Sequence, residues 1–77
     1  MNKARRKQLA ELASELEAIG TALEALRDEE QDYYDNMPES LQDGERGQKA
    51  YDAIDAIDNA VNGVAETLDY INEAVEC

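Results

Sequence analysis

In the second half of the chain, apolar residues fall at Ala50, Ile54, Ile57, Val61, Val64, Leu68, Ile71 and Val75, in alternating steps of four and three. Such spacing lays a heptad seam along one side of a helix. An earlier series has the same rhythm: Leu9, Leu12, Leu16, Ile19, Leu23 and Leu26, with the register carried on through Glu30 to Tyr33 and Met37. Ala, Leu and Glu dominate around it, and only Gly20 and Thr21 weaken the helical interior. The two series predict one helix over residues 3–35 and another over residues 45–76.

Between them the punctuation is strong. Asn36-Met37-Pro38 ends the first helix, because the residue before a proline is pushed out of the helical region and proline lacks the backbone donor. Within Pro38 to Gly47, the residues Ser40, Asp43, Gly44 and Gly47 then mark a connection, its loop over residues 36–44, with Leu41 expected to plug it onto the end of the core. Pro38 can open a short helical turn there, and Ser40 or Asp43 is placed to cap the helix that follows. In that second helix, Asn62-Gly63 is the one point with room to bend or break.

A short link between two heptad helices predicts an all-α fold. It is a single domain over residues 1–77, an antiparallel two-helix hairpin of coiled-coil type. The expected pairing keeps a constant sum of residue numbers: Leu9 on Ile71, Leu12 on Leu68, Leu16 on Val64, Ile19 on Val61, Leu23 on Ile57 and Leu26 on Ile54. Glu30, the polar member of the first seam, then lies beside Ala50 near the link as a register-setting residue. Lys3, Arg5, Arg6 and Lys7 sit at a helix start, where the macrodipole disfavours cations, and this pairing brings them to Glu73 and Glu76. The same cluster could touch phosphate, but it is short and has no interleaved aromatic.

Size adds a further expectation. A chain of 77 residues is a small domain whose single core supplies little stability. Tyr33, Tyr34, Tyr51 and Tyr70 remain on the flanks of a hairpin, and pairing of two hairpins into a helical bundle would cover them. A homo-oligomer is therefore expected.

Charge narrows the function. The chain has 19 acidic and 7 basic residues, a net charge of -12, and its pI is near 4.1. That argues against direct binding to nucleic acid or an anionic membrane and favours a basic partner. There is no His and one Cys, Cys77, so neither an intrachain disulfide nor a zinc cluster can form, and Cys77 reads as an incidental thiol. MNKARRKQ leads into a Glu-laced heptad rather than a signal sequence, and no apolar run spans a bilayer, so a cytoplasmic protein is expected. No enzyme is expected, because solvent-facing acids assemble no nucleophile, base and oxyanion site. No cofactor or metal is expected either: Asp52, Asp55 and Asp58 recur every third residue and drift around the helix.

The acids themselves are ordered. Asp52, Asp55, Glu66, Asp69, Glu73 and Glu76, with Asn59 and Asn62, form one outward row on the second helix. A second run begins with Asp28, Glu29, Glu30, Asp32 and Asp35 and continues through Glu39, Asp43 and Glu45 without a basic residue. Carboxylates fixed along a rigid helix can imitate the regular charge of a nucleic-acid backbone and occupy a basic groove built for it. Asp52, Asp55, Glu66, Asp69, Glu73, Asp28, Glu29, Asp32 and Asp35 are the candidate partner-binding residues. The competing reading is a scaffolding coiled coil whose acid serves only solubility.

The segment EEQDYYDNMPESLQDGERGQKAYDAIDAIDNA, Glu29 to Ala60, combines an acidic helix end, a tyrosine pair, Asn-Met-Pro-Glu-Ser-Leu, an Arg-Gly step and an Ala/Ile/Asp helix. It resembles a segment of small uncharacterised helical proteins encoded by bacteriophages and other mobile elements of bacteria. The resemblance implies a genomic setting in which small acidic proteins often inhibit host defence enzymes, of anti-CRISPR or anti-restriction type, by occupying nucleic-acid sites. It implies no catalytic or site residue.

Overall fold

A computed structural model describes residues 1–77. It contains three helices and no strand: α1 (Lys3–Asp35), the single turn α2 (Glu39–Gln42) and α3 (Glu45–Glu76). α1 starts where the Asn2 side chain accepts a hydrogen bond from the Arg5 amide at 2.8 Å, a side-chain cap that apolar spacing does not signal. It ends at Asn36, whose amide bonds back to the Asp32 carbonyl at 3.0 Å just ahead of Pro38. α3 runs unbroken through Asn62-Gly63.

α1 and α3 lie alongside each other in a rod with Cα extents of 58 × 14 × 12 Å. The start of α1 meets the end of α3, where the Arg6 guanidinium donates to the Cys77 carbonyl at 3.2 Å. Farther along, Gly20 lies against Val64, and Arg27 reaches Asp58. These pairs displace the expected register by about four residues, since the heptad spacing alone sets Val64 on Leu16.

The seam changes with it. On α3, Ile54, Ile57, Val61, Val64, Leu68 and Ile71 are half-buried, as their spacing predicts. On α1, Leu9, Leu16 and Leu23 are half-buried too, but the intervening positions are Ala13, Gly20 and Arg27. Leu12, Ile19 and Leu26, which apolar spacing assigns to the seam, are instead 53%, 53% and 54% exposed.

The covered positions form one continuous series. Met37 and Ala50 are the buried apolar residues of the chain, at 9% and 3% exposure. Counting back from Met37 in steps of three and four gives Tyr34, Glu30, Arg27, Leu23, Gly20, Leu16, Ala13 and Leu9, which are the covered positions of α1. Met37 belongs equally to the series through Tyr33, Leu26, Ile19 and Leu12, so what separates the two is the small residue at position 20, which gives Val64 room to approach, and the bond from Arg27 to Asp58. Met37 takes the plugging role expected of Leu41, which is 39% exposed.

α2 is pinned by its own bonds. Leu41 and Gln42 amides donate to the Pro38 carbonyl at 2.9 and 3.1 Å, and the Gln42 side chain donates to the Tyr34 carbonyl at 2.9 Å. The chain then turns so tightly that a Cβ at Gly47 would collide with the Gln42 backbone. α3 is opened by Gly44 without a side-chain cap, so neither Ser40 nor Asp43 fills that expected role.

Two glycines give opposite expectations. A methyl group at Gly63 would meet nothing within 4 Å, so Gly63→Ala should stabilise by about 1 kcal/mol through helix propensity alone, raising Tm by roughly 4–8 °C. Gly47→Ala should instead destabilise by about 1–3 kcal/mol as the elbow shifts to relieve the collision. Thermal unfolding followed by circular dichroism checks both.

Candidate functional site

The outward face of α3 is a row of carboxylates. Asp52, Asp55, Glu66, Asp69, Glu73 and Glu76 are all exposed, and none has an ion-pair partner. The row extends about 36 Å from Asp52 to Glu76 at the helical rise. Asn59 and Asn62 divide it into an acidic pair near the elbow and a longer acidic set near the far end. Asp52 accepts a hydrogen bond from the Gln48 side chain at 2.9 Å, which orients its carboxylate without neutralising it.

The second candidate group lies at the end of α1. Asp28, Glu29, Asp32 and Asp35 are exposed, and the Gln31 side chain donates to Asp35 at 2.9 Å. Glu30 points partly into the seam and is half-buried. The two acidic groups occupy different helices, so the fold presents them as separate surfaces that meet only near the elbow.

One ion pair crosses between the long helices. Arg27 donates to Asp58 at 2.8 Å, and its Nε lies 3.6 Å from Asp28. The hydrogen bond from Arg27 to Asp58 raises the Arg27 pKa above its ordinary value; desolvation opposes this, and the nearby charges of Asp28, Asp58 and Glu24 add to it. The pair sits over a shallow groove with Gln31, Tyr51, Ile54 and Asp55. Apolar spacing gives no hint that Arg27 occupies the seam, although it is the lone basic residue between Lys7 and Arg46.

The cationic start of α1 has no such partner. Lys3, Arg5, Arg6 and Lys7 make no ion pair with Glu73 or Glu76, contrary to the expected pairing, and Arg6 reaches only the Cys77 carbonyl.

No group of three or more Cys, Asp or Glu side chains is arranged to hold a metal ion. No helix is long and apolar enough to cross a membrane. No family model, curated protein or solved structure matches the chain.

The crossing pair is a testable constraint. Arg27→Ala and Asp58→Ala should each lower Tm, and the double variant should fall no further than the worse single one, because both remove the same bond. Thermal melts of the four proteins at low and high salt measure this coupling, which should shrink with added salt.

Proposed function

We propose that this chain is a non-enzymatic acidic interaction protein. It folds as an antiparallel helical hairpin that self-associates, and it binds a basic protein surface through its carboxylate row. The observation that carries the reading is the absence of any ion-pair partner along Asp52, Asp55, Glu66, Asp69, Glu73 and Glu76. A rigid helix holds these charges at fixed spacing, so they are presented before a partner arrives and little ordering entropy is lost on binding.

The partner best suited to such a face is the nucleic-acid groove of a basic effector complex. Such grooves are lined with Lys and Arg spaced for phosphates, and the row of about 36 Å matches roughly 11 steps of duplex at 3.4 Å each. Together with the resemblance of residues 29–60 to phage-encoded proteins, this favours an inhibitor of a host defence system acting in the host cytoplasm. Asp28 and Asp35 extend the surface at the elbow.

A scaffolding coiled coil is the second reading, and the half-exposed Leu12, Ile19 and Leu26 favour it. The two differ in their dependence on charge. Replacing Asp52 and Asp55 by Asn, Glu66 by Gln and Asp69 by Asn should leave helix content unchanged but abolish capture of basic nucleic-acid-binding proteins from bacterial lysate at moderate salt. Captured proteins identified by mass spectrometry should also be lost from the native chain at high salt. Undiminished capture by the neutralised variant would overturn the mimicry and leave the scaffold.

A further inference from the structure

We infer that a second copy of this chain docks on the outer flank of α1, with the two α1 helices antiparallel and Ile19 near the twofold axis. The inference rests on the self-association in the reading above and is independent of the basic partner. It starts from exposed surface: the chain exposes 5727 Å², about 1,000 Å² more than the roughly 4,700 Å² expected of a folded 8.6 kDa monomer. A standard interface removes about 800 Å² from each partner, so one docked copy accounts for most of the excess.

The place for it is a single stripe. Leu12, Ile19, Leu26 and Tyr33 follow one another at strict seven-residue intervals and are 53%, 53%, 54% and 48% exposed. Four large apolar side chains in one line, on a helix whose other side already packs on α3, form a second seam. Ala18, Ala22 and Ala25 border it and are exposed, so another helix can come close.

Charge selects the orientation and the occupant. Seven residues before Leu12 the stripe begins with Arg5, and at its far end Tyr33 is flanked by Glu29 and Asp32. Neither Arg5 nor these two carboxylates has an ion-pair partner within the chain. α1 also carries no acidic residue in its first turn and no basic residue in its last, so both ends oppose its macrodipole. A copy running the other way sets Arg5 of each chain beside Glu29, Asp32 and the Tyr33 ring of its mate, and stacks Leu12 on Leu26. A parallel copy would place acid on acid and base on base. The carboxylate rows of both α3 helices stay outside this contact.

The test uses the full chain with Cys77→Ser, which removes the exposed native thiol. Ile19→Cys in that background should give dimers in high yield with a short bismaleimide. Leu12→Cys should give little, because two residues fourteen apart about the axis are separated by roughly 21 Å. Sedimentation should show the unmodified chain as a dimer, and Ile19→Glu with Leu26→Glu should convert it to a helical monomer. Charge reversal supplies the second readout. Arg5→Glu alone and Glu29→Lys with Asp32→Lys alone should each weaken dimers at least tenfold, and mixing the two variants should restore them as heterodimers. A native-helicity monomer at high concentration would overturn both self-association and this surface. A dimer that crosslinks better through position 12 than through position 19, or that survives Ile19→Glu with Leu26→Glu, would overturn the surface alone.

Discussion

The close approach of α3 to α1 at Gly20, where Val64 fills the space a side chain would take, is the constraint from which the rest of the structure follows. A long helix is rigid about its own axis, so fixing one residue fixes which side faces the neighbour along its whole length. With Gly20 buried against Val64, α1 has a single rotational phase. That phase puts Arg27 on Asp58. It also turns Leu12, Ile19 and Leu26 away from α3. Apolar residues on α1 are abundant enough for two faces, and the one that lets α3 come close at Gly20 packs inside the chain.

This division explains a molecule with little interior. No bulky side chain is fully covered, and the seam consists of half-buried residues along a narrow rod. Burial per residue is therefore low, and the hydrophobic contribution of roughly 25 cal/mol per Å² is spread thinly. Polar interactions do little to compensate, since exposed ion pairs are worth about 0–1 kcal/mol each and only three are formed. The two unengaged surfaces of the chain, an apolar flank on α1 and a carboxylate row on α3, lie on different helices. Each can be engaged without disturbing the other.

Much of this architecture is legible in the residues. The heptad spacing of Ile54 to Ile71 and the break at Asn36-Met37-Pro38 place both long helices and the α3 seam. The α1 seam is harder to read because Leu9, Leu16 and Leu23 combine equally well with Leu12, Ile19 and Leu26 or with Ala13, Gly20 and Arg27. Apolar counting prefers the first set. Packing takes the second, since small residues let α3 approach, while Met37 lies on both series and its burial distinguishes neither. The acidic row is visible in sequence because it needs only helical periodicity. Its lack of ion pairs is not, because that depends on how the side chains of Lys3, Arg5, Arg6 and Lys7 lie at the end of α3, which periodicity does not reveal.

The connection through α2 also governs how the chain reaches this state. Pairings between the long helices close short loops near the elbow and a loop of some seventy residues at the open end, where Arg6 meets Cys77. Once the elbow forms, each successive layer closes only a slightly larger loop than the one before, at small added entropic cost. Assembly then proceeds as a zipper from Met37 outward, and opening runs in reverse. Fraying begins around Arg6, so protection of backbone amides from exchange declines along the rod from elbow to tip.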